Sequence, residues 1–151
     1  MRLLPGLCLV LLTASCANRS GDMQVKQFHL RDLSSTDEDP MVRMEKERRL
    51  HGAVSVTEQR QRLGQYYTIL WDDPSAGSGG EVEVVFEYRQ SATGSLVKRQ
   101  VKRLAPDSAR GRVEFAVIGR DYLEGGRVLA WKATVRSQGR PVASRQSYLW
   151  D

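Results

Sequence analysis

Cysteine is nearly absent from this sequence, and the few cysteines are unevenly placed. Among 151 residues there are two, Cys8 and Cys16, and the chain after Cys16 has none. A disulfide framework or a thiolate metal site in the main body is therefore excluded. A chain of this length allows one domain of ordinary size, which can bury a core without such cross-links. We expect the folded part to be stabilised by its own hydrophobic core.

Histidine is equally scarce, and recognisable catalytic motifs are missing. His29 and His51 have neither a cysteine nor a second histidine nearby, and the chain contains no P-loop, Rossmann fingerprint, G-x-S-x-G or H-E-x-x-H motif. Glu81, Glu83 and Glu87 alternate with apolar residues, which is typical of the solvated side of a strand rather than of a glycosidase carboxylate pair. We expect a protein that is not an enzyme and that uses no metal and no cofactor.

Long apolar runs are missing too, since residues 3–12 form the longest one. This run is about half of the roughly 20 residues that a transmembrane helix needs. It follows Arg2 and precedes the small or polar residues Thr13, Ala14 and Ser15, and then Cys16. A charged, an apolar and a small-residue segment in this order are typical of a secretory signal.

The segment Leu12-Thr13-Ala14-Ser15-Cys16 resembles the lipobox of bacterial lipoprotein precursors. The resemblance implies a signal peptide over residues 1–15, cleavage before Cys16, and lipidation of that cysteine on its sulfur and its new amino group. Two or three acyl chains would anchor the chain, because each buried methylene contributes about 0.8 kcal/mol. Ala17 instead of Asp after the cysteine implies the periplasmic face of the outer membrane or the cell surface. The alternative is an ordinary cleaved signal with a chance cysteine.

Residues 16–23 are polar and are predicted to form a lipidated tether, and residues 24–64 a short edge strand, a polar loop and two short helices packed on a sheet. Asp39 and Pro40 suit the N-cap and the first position of the first helix. One face of that helix carries Met41, Met44 and Arg48. Ser55 has a glutamate at capping-box spacing, and the second helix is predicted to end at Gly64.

From residue 65 to residue 151 the hydrophobic period is two, which indicates strands. The clearest case is the alternation of Val82, Val84, Phe86 and Tyr88 with mostly acidic residues. Turn-forming segments recur about every 10 residues, so we expect a mainly β fold with about seven antiparallel strands. Residues 127–150 resemble the last two strands of fibronectin-III or immunoglobulin-like domains. The resemblance covers roughly residues 65–150 and implies a sandwich, but no function, since such folds have many.

Aromatic residues in this region have two predicted roles. Trp71 and Trp131 share strand faces with apolar residues, Trp131 with Leu129 among others, and are expected in the core. Tyr148 and Trp150 are predicted to share a strand face at the chain end. They are the candidates for an aromatic contact with a glycan or a peptide.

Basic residues are concentrated in the second half of the chain. Residues 16–88 include 9 basic and 13 acidic side chains, whereas residues 89–151 include 13 basic and 5 acidic ones. The candidates for contact with an anionic partner are Arg89, Lys98, Lys102 and Arg103. Alternation predicts that Lys98 and Lys102 lie on a wet strand face. Protection of a sheet edge and pairing with the acidic half are the other interpretations.

These observations favour a non-catalytic, lipid-anchored cell-envelope protein that acts as an interaction or structural module through a basic face. Its partners would be the membrane, through the lipid, and an anionic envelope component or another envelope protein. Nucleic acid is not expected as a partner of an exported protein. The alternative function is a glycan- or peptidoglycan-binding module that uses surface aromatic residues.

Replacing the predicted lipidation site tests the anchor directly. Cys16→Ser removes the thiol that would carry diacylglycerol, so the variant is expected to accumulate as uncleaved precursor or to be mislocalised. Membrane fractionation and the apparent mass of the product measure both effects. A variant that fractionates with membranes and matures like the wild type would rule out lipidation at this residue.

Overall fold

The computed structural model describes residues 22–34, 38–72, 80–104 and 110–150. The predicted signal peptide, residues 1–15, and Cys16 lie outside the described residues. Asp22 and Met23, predicted as the end of the tether, are the first residues of a strand instead. That strand is the short edge strand expected from the sequence.

Seven strands lie in the described ranges and form two antiparallel sheets. In chain order they are β1 (Asp22–Leu30), β2 (Gly64–Asp72), β3 (Val82–Gln90), β4 (Lys98–Leu104), β5 (Arg110–Ile118), β6 (Val128–Ser137) and β7 (Arg140–Gln146). Sheet A has the strand order β1-β2-β5, and sheet B has the order β4-β3-β6-β7. The prediction of a mainly β fold with about seven antiparallel strands is therefore confirmed.

The two sheets meet in an aromatic core centred on Phe86 of β3. The ring of this fully buried residue contacts Tyr67 and Phe115 of sheet A, with centroid distances of 4.6 and 5.3 Å. It also contacts Tyr88 and Trp131 of sheet B, at 5.6 and 6.4 Å. Alternating apolar residues of the central strands complete the core, as the period of two predicts.

A β-bulge in β6 corrects one predicted core residue. The strand β3 pairs with Ala130 and then directly with Val128, so that Leu129 is the extra residue. The bulge reverses the alternation locally, because one inserted residue moves the preceding ones to the other face. Val128 therefore joins Trp131 in the core, and Leu129, predicted to point inward, is 46% exposed.

The described helices are α1 (Pro40–Leu50), α2 (Val56–Gln61) and α3 (Gly119–Gly125). The predicted caps of the first two are confirmed: Asp39 accepts from the amide of Met41 at 2.8 Å, and Ser55 forms the capping box. Gly64 does not end a helix, because α2 stops at Gln61 and Gly64 begins β2. A Cβ at Gly64 would collide with the neighbouring backbone of β5. The third helix was not predicted.

The bulge leads to a prediction about Trp131 and Leu129 of β6, which the sequence pattern placed on the same inward face. Trp131 is 6% exposed, so Trp131→Ala should lower the free energy of unfolding by about 3–5 kcal/mol. Leu129→Ala, the matched control on the same strand, should lower it by less than about 1 kcal/mol because nearly half of its surface is already in solvent. Urea denaturation measures both values. Equal losses would contradict the bulge.

Candidate interaction surface

The strand β4 lies at the edge of sheet B and divides the predicted basic residues between two faces. Lys98 pairs with Tyr88 and Lys102 with Val84, and both partners belong to the core. Lys98 and Lys102 therefore lie on the inner side of the strand. The prediction that both are exposed is right for Lys102 and wrong for Lys98, which is half-buried. The opposite face, with Arg99 and Arg103, points to solvent. The register of β4 with β3 determines which side of β4 faces the core, and the sequence of β4 alone does not indicate this.

Lys98 is engaged in a network that fixes α3. Its ammonium group forms an ion pair with Asp121, whose other carboxylate oxygen accepts from the hydroxyl of Tyr88 at 2.7 Å. Burial, followed by the hydrogen bond to Asp121, raises the pKa of Tyr88 to about 12, so the phenol stays a donor at neutral pH. The side chain of Lys98 is half-buried rather than exposed.

Lys102 is exposed, and its ammonium group forms a hydrogen bond with the backbone of sheet A. Its Nζ donates to the carbonyl of Glu114 at 2.6 Å, and Gln100 donates to the carbonyl of Ala116 at 3.1 Å. On the opposite side of the molecule, Arg145 of β7 donates to the carbonyl of Met23 at 2.9 Å. Long polar side chains of the two edge strands of sheet B thus satisfy edge carbonyls of sheet A. Such contacts are the edge protection that was one of the interpretations of the basic residues.

The outer face of sheet B carries two rows of alternating charge. In one row Glu87 of β3 lies between Arg99 of β4 and Lys132 of β6. In the other row Glu83 lies between Arg103, at 3.6 Å, and Arg136, at 3.9 Å. The side chain of Arg103 is 72% exposed, so these are wet cross-strand pairs that add little to stability.

Bases outnumber acids on this surface, which we call the basic face. The strands β3, β4 and β6 contribute to it Arg89, Arg99, Arg103, Lys132 and Arg136, against Glu83, Glu87 and, directly before β3, Glu81, which lies 3.4 Å from Arg103. Between its two charged rows lie Val85, Val101 and Thr134, which pair across the three strands. Only Val101 of these three residues is exposed, so the basic face combines a cationic excess with little apolar surface. Two of the four predicted bases, Arg89 and Arg103, lie on it, while Arg99, Lys132 and Arg136 were missed because their placement depends on register.

The chain end borders the basic face but differs from its prediction. The strand β7 stops at Gln146, and Tyr148–Trp150 form a 3-10 turn instead of continuing the strand. Tyr148 is 95% exposed, whereas the Trp150 ring lies under the guanidinium of Arg89, 4.9 Å from its centroid. The two aromatic residues therefore do not share a strand face, although their role in contacting a glycan or a peptide stays a prediction.

His29 has a partner that the sequence did not indicate. Its Nε2 lies 2.7 Å from the hydroxyl of Tyr122 in α3, and its Nδ1 accepts from Arg31 at 3.3 Å. Burial, followed by the charges of Arg31 and Arg127, lowers its pKa, which favours the neutral ring. The pair joins the end of β1 to α3. Since 93 residues separate the two side chains, no local pattern could have found it.

Across the described ranges, no group of three or more histidine, cysteine, aspartate or glutamate residues is placed to hold a metal ion. No helix of those ranges is long and apolar enough to cross a membrane. Compared with protein families, curated proteins and solved structures, the chain matches none.

Proposed function

We propose that this chain is a lipid-anchored, non-catalytic protein of the bacterial cell envelope whose basic face binds an anionic partner. The anchor rests on the apolar segment that ends at Cys16, and it would hold the domain at the periplasmic face of the outer membrane or at the cell surface. The observation that carries the binding function is the excess of five bases over three acids on the outer face of sheet B.

Arg99 and Arg103 are exposed, and Arg89, Lys132 and Arg136 are half-buried, so all five are accessible to a partner, which supports a role in binding. Glu81 and Glu83 form ion pairs with Arg103 and Arg136, and Glu87 lies between Arg99 and Lys132, so the three carboxylates offset only part of the charge of the five bases. Exposed pairs contribute typically less than about 1 kcal/mol, so folding does not require them. Several cations on one flat face would instead raise the rate and specificity of encounter with an anionic surface.

We also propose that the domain is an immunoglobulin- or fibronectin-III-like sandwich. The split into three and four strands, with β1-β2-β5 opposite β4-β3-β6-β7, supports this proposal. So does the final hairpin β6-β7, which the sequence resemblance covers. Such domains are scaffolds for interaction surfaces, and the fold alone does not name a partner.

The exposure of Tyr148 favours a second candidate function, a glycan- or peptidoglycan-binding module. Its ring is almost completely in solvent, and Leu149 beside it is also exposed. An aromatic ring of this kind can stack on a sugar face, and the Arg89–Trp150 pair lies in the same turn region. Tyr148→Ala would abolish glycan binding under this alternative and leave binding of an anion unchanged.

Charge removal on the basic face tests the main proposal. The full chain is held by its anchor in neutral nanodiscs, and surface plasmon resonance measures binding of phosphorylated core oligosaccharide from lipopolysaccharide at low and at high salt. Wild type should bind in a salt-sensitive manner, because screening weakens attraction between exposed charges. Arg99→Gln with Lys132→Gln should weaken binding about tenfold, which corresponds to about 1.4 kcal/mol.

Arg43→Gln with Arg60→Gln is the matched control, since both residues are exposed on helices outside sheet B. It should bind like wild type. The proposal fails if wild type shows no salt-sensitive affinity for the oligosaccharide, or if the two double variants lose affinity equally. Lys98 and Lys102 are unsuitable for this test, because their replacement would also disturb Asp121 and the edge of β5.

A further inference from the structure

A second surface feature, a cleft of about 270 Å³, lies between α1 and the outer face of sheet A. Its volume is slightly below the range of typical ligand pockets, which is roughly 300–1,000 Å³, so only a small ligand would fit. Phe28 and Leu70, both half-buried, contribute apolar surface from β1 and β2. Lys26 and Arg112 line the cleft from the two edge strands of the sheet, on the opposite side of the molecule from the basic face.

Ion pairs, and not apolar contacts, hold α1 over this cleft. The buried guanidinium of Arg49 lies 4.1 Å from the centroid of the Tyr66 ring, donates to Glu45 at 2.8 Å and forms an ion pair with Glu114. Arg48 forms a bidentate pair with Glu45, which lowers the pKa of that carboxyl. Both arginines are thus neutralised by partners within the protein and serve to fix the helix.

The apolar side chains of α1 point away from the cleft. Met41 and Met44 are 68% and 58% exposed, while the buried residues of the helix are Lys46 and Arg49. A helix that served only to cover sheet A would place its methionines on Phe28 and Leu70, because burial of each contributes roughly 1.5–3 kcal/mol. The observed orientation leaves apolar surface of the sheet accessible from the cleft.

Lys26 and Arg112 differ from the two helix arginines because they lack a counter-charge. No carboxylate of the described chain lies within salt-bridge distance of either one, although Glu45 and Glu114 are close to the cleft. Lys26 pairs with Thr68 and Arg112 with Leu70, so their Cα atoms are separated by two inter-strand spacings and a short diagonal, roughly 12 Å. Two long flexible side chains can converge on one anion across that distance.

We propose that this cleft binds a small organic anion. Its carboxylate or phosphate group would lie between Lys26 and Arg112, where charge-assisted hydrogen bonds are strongest. Its apolar part would lie on Phe28 and Leu70, beneath α1. The site does not depend on the basic face, because the two share no residue and lie on different sheets.

Three probes of matched size test the proposal on the full chain in neutral nanodiscs, with isothermal titration calorimetry. Phenyl phosphate and phenylacetate carry the two candidate anionic groups, and benzyl alcohol is the uncharged counterpart. At least one anion should bind saturably, at one site, and benzyl alcohol should bind about tenfold more weakly or not at all. Preference for phenyl phosphate or for phenylacetate identifies the group that the site accepts.

Variants then locate the binding site. Lys26→Gln with Arg112→Gln should weaken binding of the preferred anion by about tenfold or more, whereas Lys26→Arg, which keeps the charge, should retain it. Arg99→Gln with Lys132→Gln on the basic face should bind the probe like wild type, and loss in that variant would assign the probe to the other surface. Absence of anion binding by wild type, equal binding of benzyl alcohol, or unchanged affinity in the Lys26 and Arg112 double variant would overturn the proposal.

Discussion

The contact of Phe86 with rings from both sheets is the interaction on which this structure depends. Tyr67 and Phe115 approach it from sheet A, and Tyr88 and Trp131 flank it within sheet B. Since the chain after Cys16 has no cysteine, neither a disulfide nor a thiolate-bound metal can join the sheets there. Burial of large rings and their offset and tilted packing must supply that link. The outer faces are then left available for charged side chains.

Charged residues in this molecule have two separate roles. Which role a residue has depends on whether its side chain lies on the inner or the outer side of its strand. Lys98 and Lys102, on the inner side of β4, contact Asp121 and an edge carbonyl of β5. Arg99 and Arg103, on the outer side of the same strand, face solvent and the glutamates of β3. The strand β4 therefore contacts α3 and the edge of sheet A with its inner side, and it contributes to an exposed cationic surface with its outer side. The net charge of the second half of the chain does not distinguish these uses.

Patterns among neighbouring residues predicted much of the fold. The features that they did not predict depend on pairing between strands that are distant in the sequence. The alternation around Phe86, the caps at Asp39 and Ser55, and the burial of Trp131 follow from neighbouring residues, and the structure confirms them. The exposure of Leu129 depends on a bulge, which only pairing with β3 defines.

The candidate surfaces were predicted less completely for the same reason. Arg99 and Lys132 belong to one row because both flank Glu87, and Arg49 meets Glu114 across 65 residues of sequence. A charge count locates the basic half of the chain. It does not identify which bases share a face, and it does not reveal the cleft under α1.

A double-mutant cycle between Phe86 and Phe115 tests most directly the claim that aromatic packing joins the two sheets. Phe86→Leu, Phe115→Leu and the double variant keep an apolar side chain at each position but remove the contact between the two rings, whose centroids are 5.3 Å apart. In equilibrium denaturation, the double variant should lose about 0.5–1.5 kcal/mol less than the sum of the two single losses, because each single variant already lacks the ring-to-ring contact. Additivity within about 0.3 kcal/mol would contradict the account, because the two rings would then contribute only by independent burial.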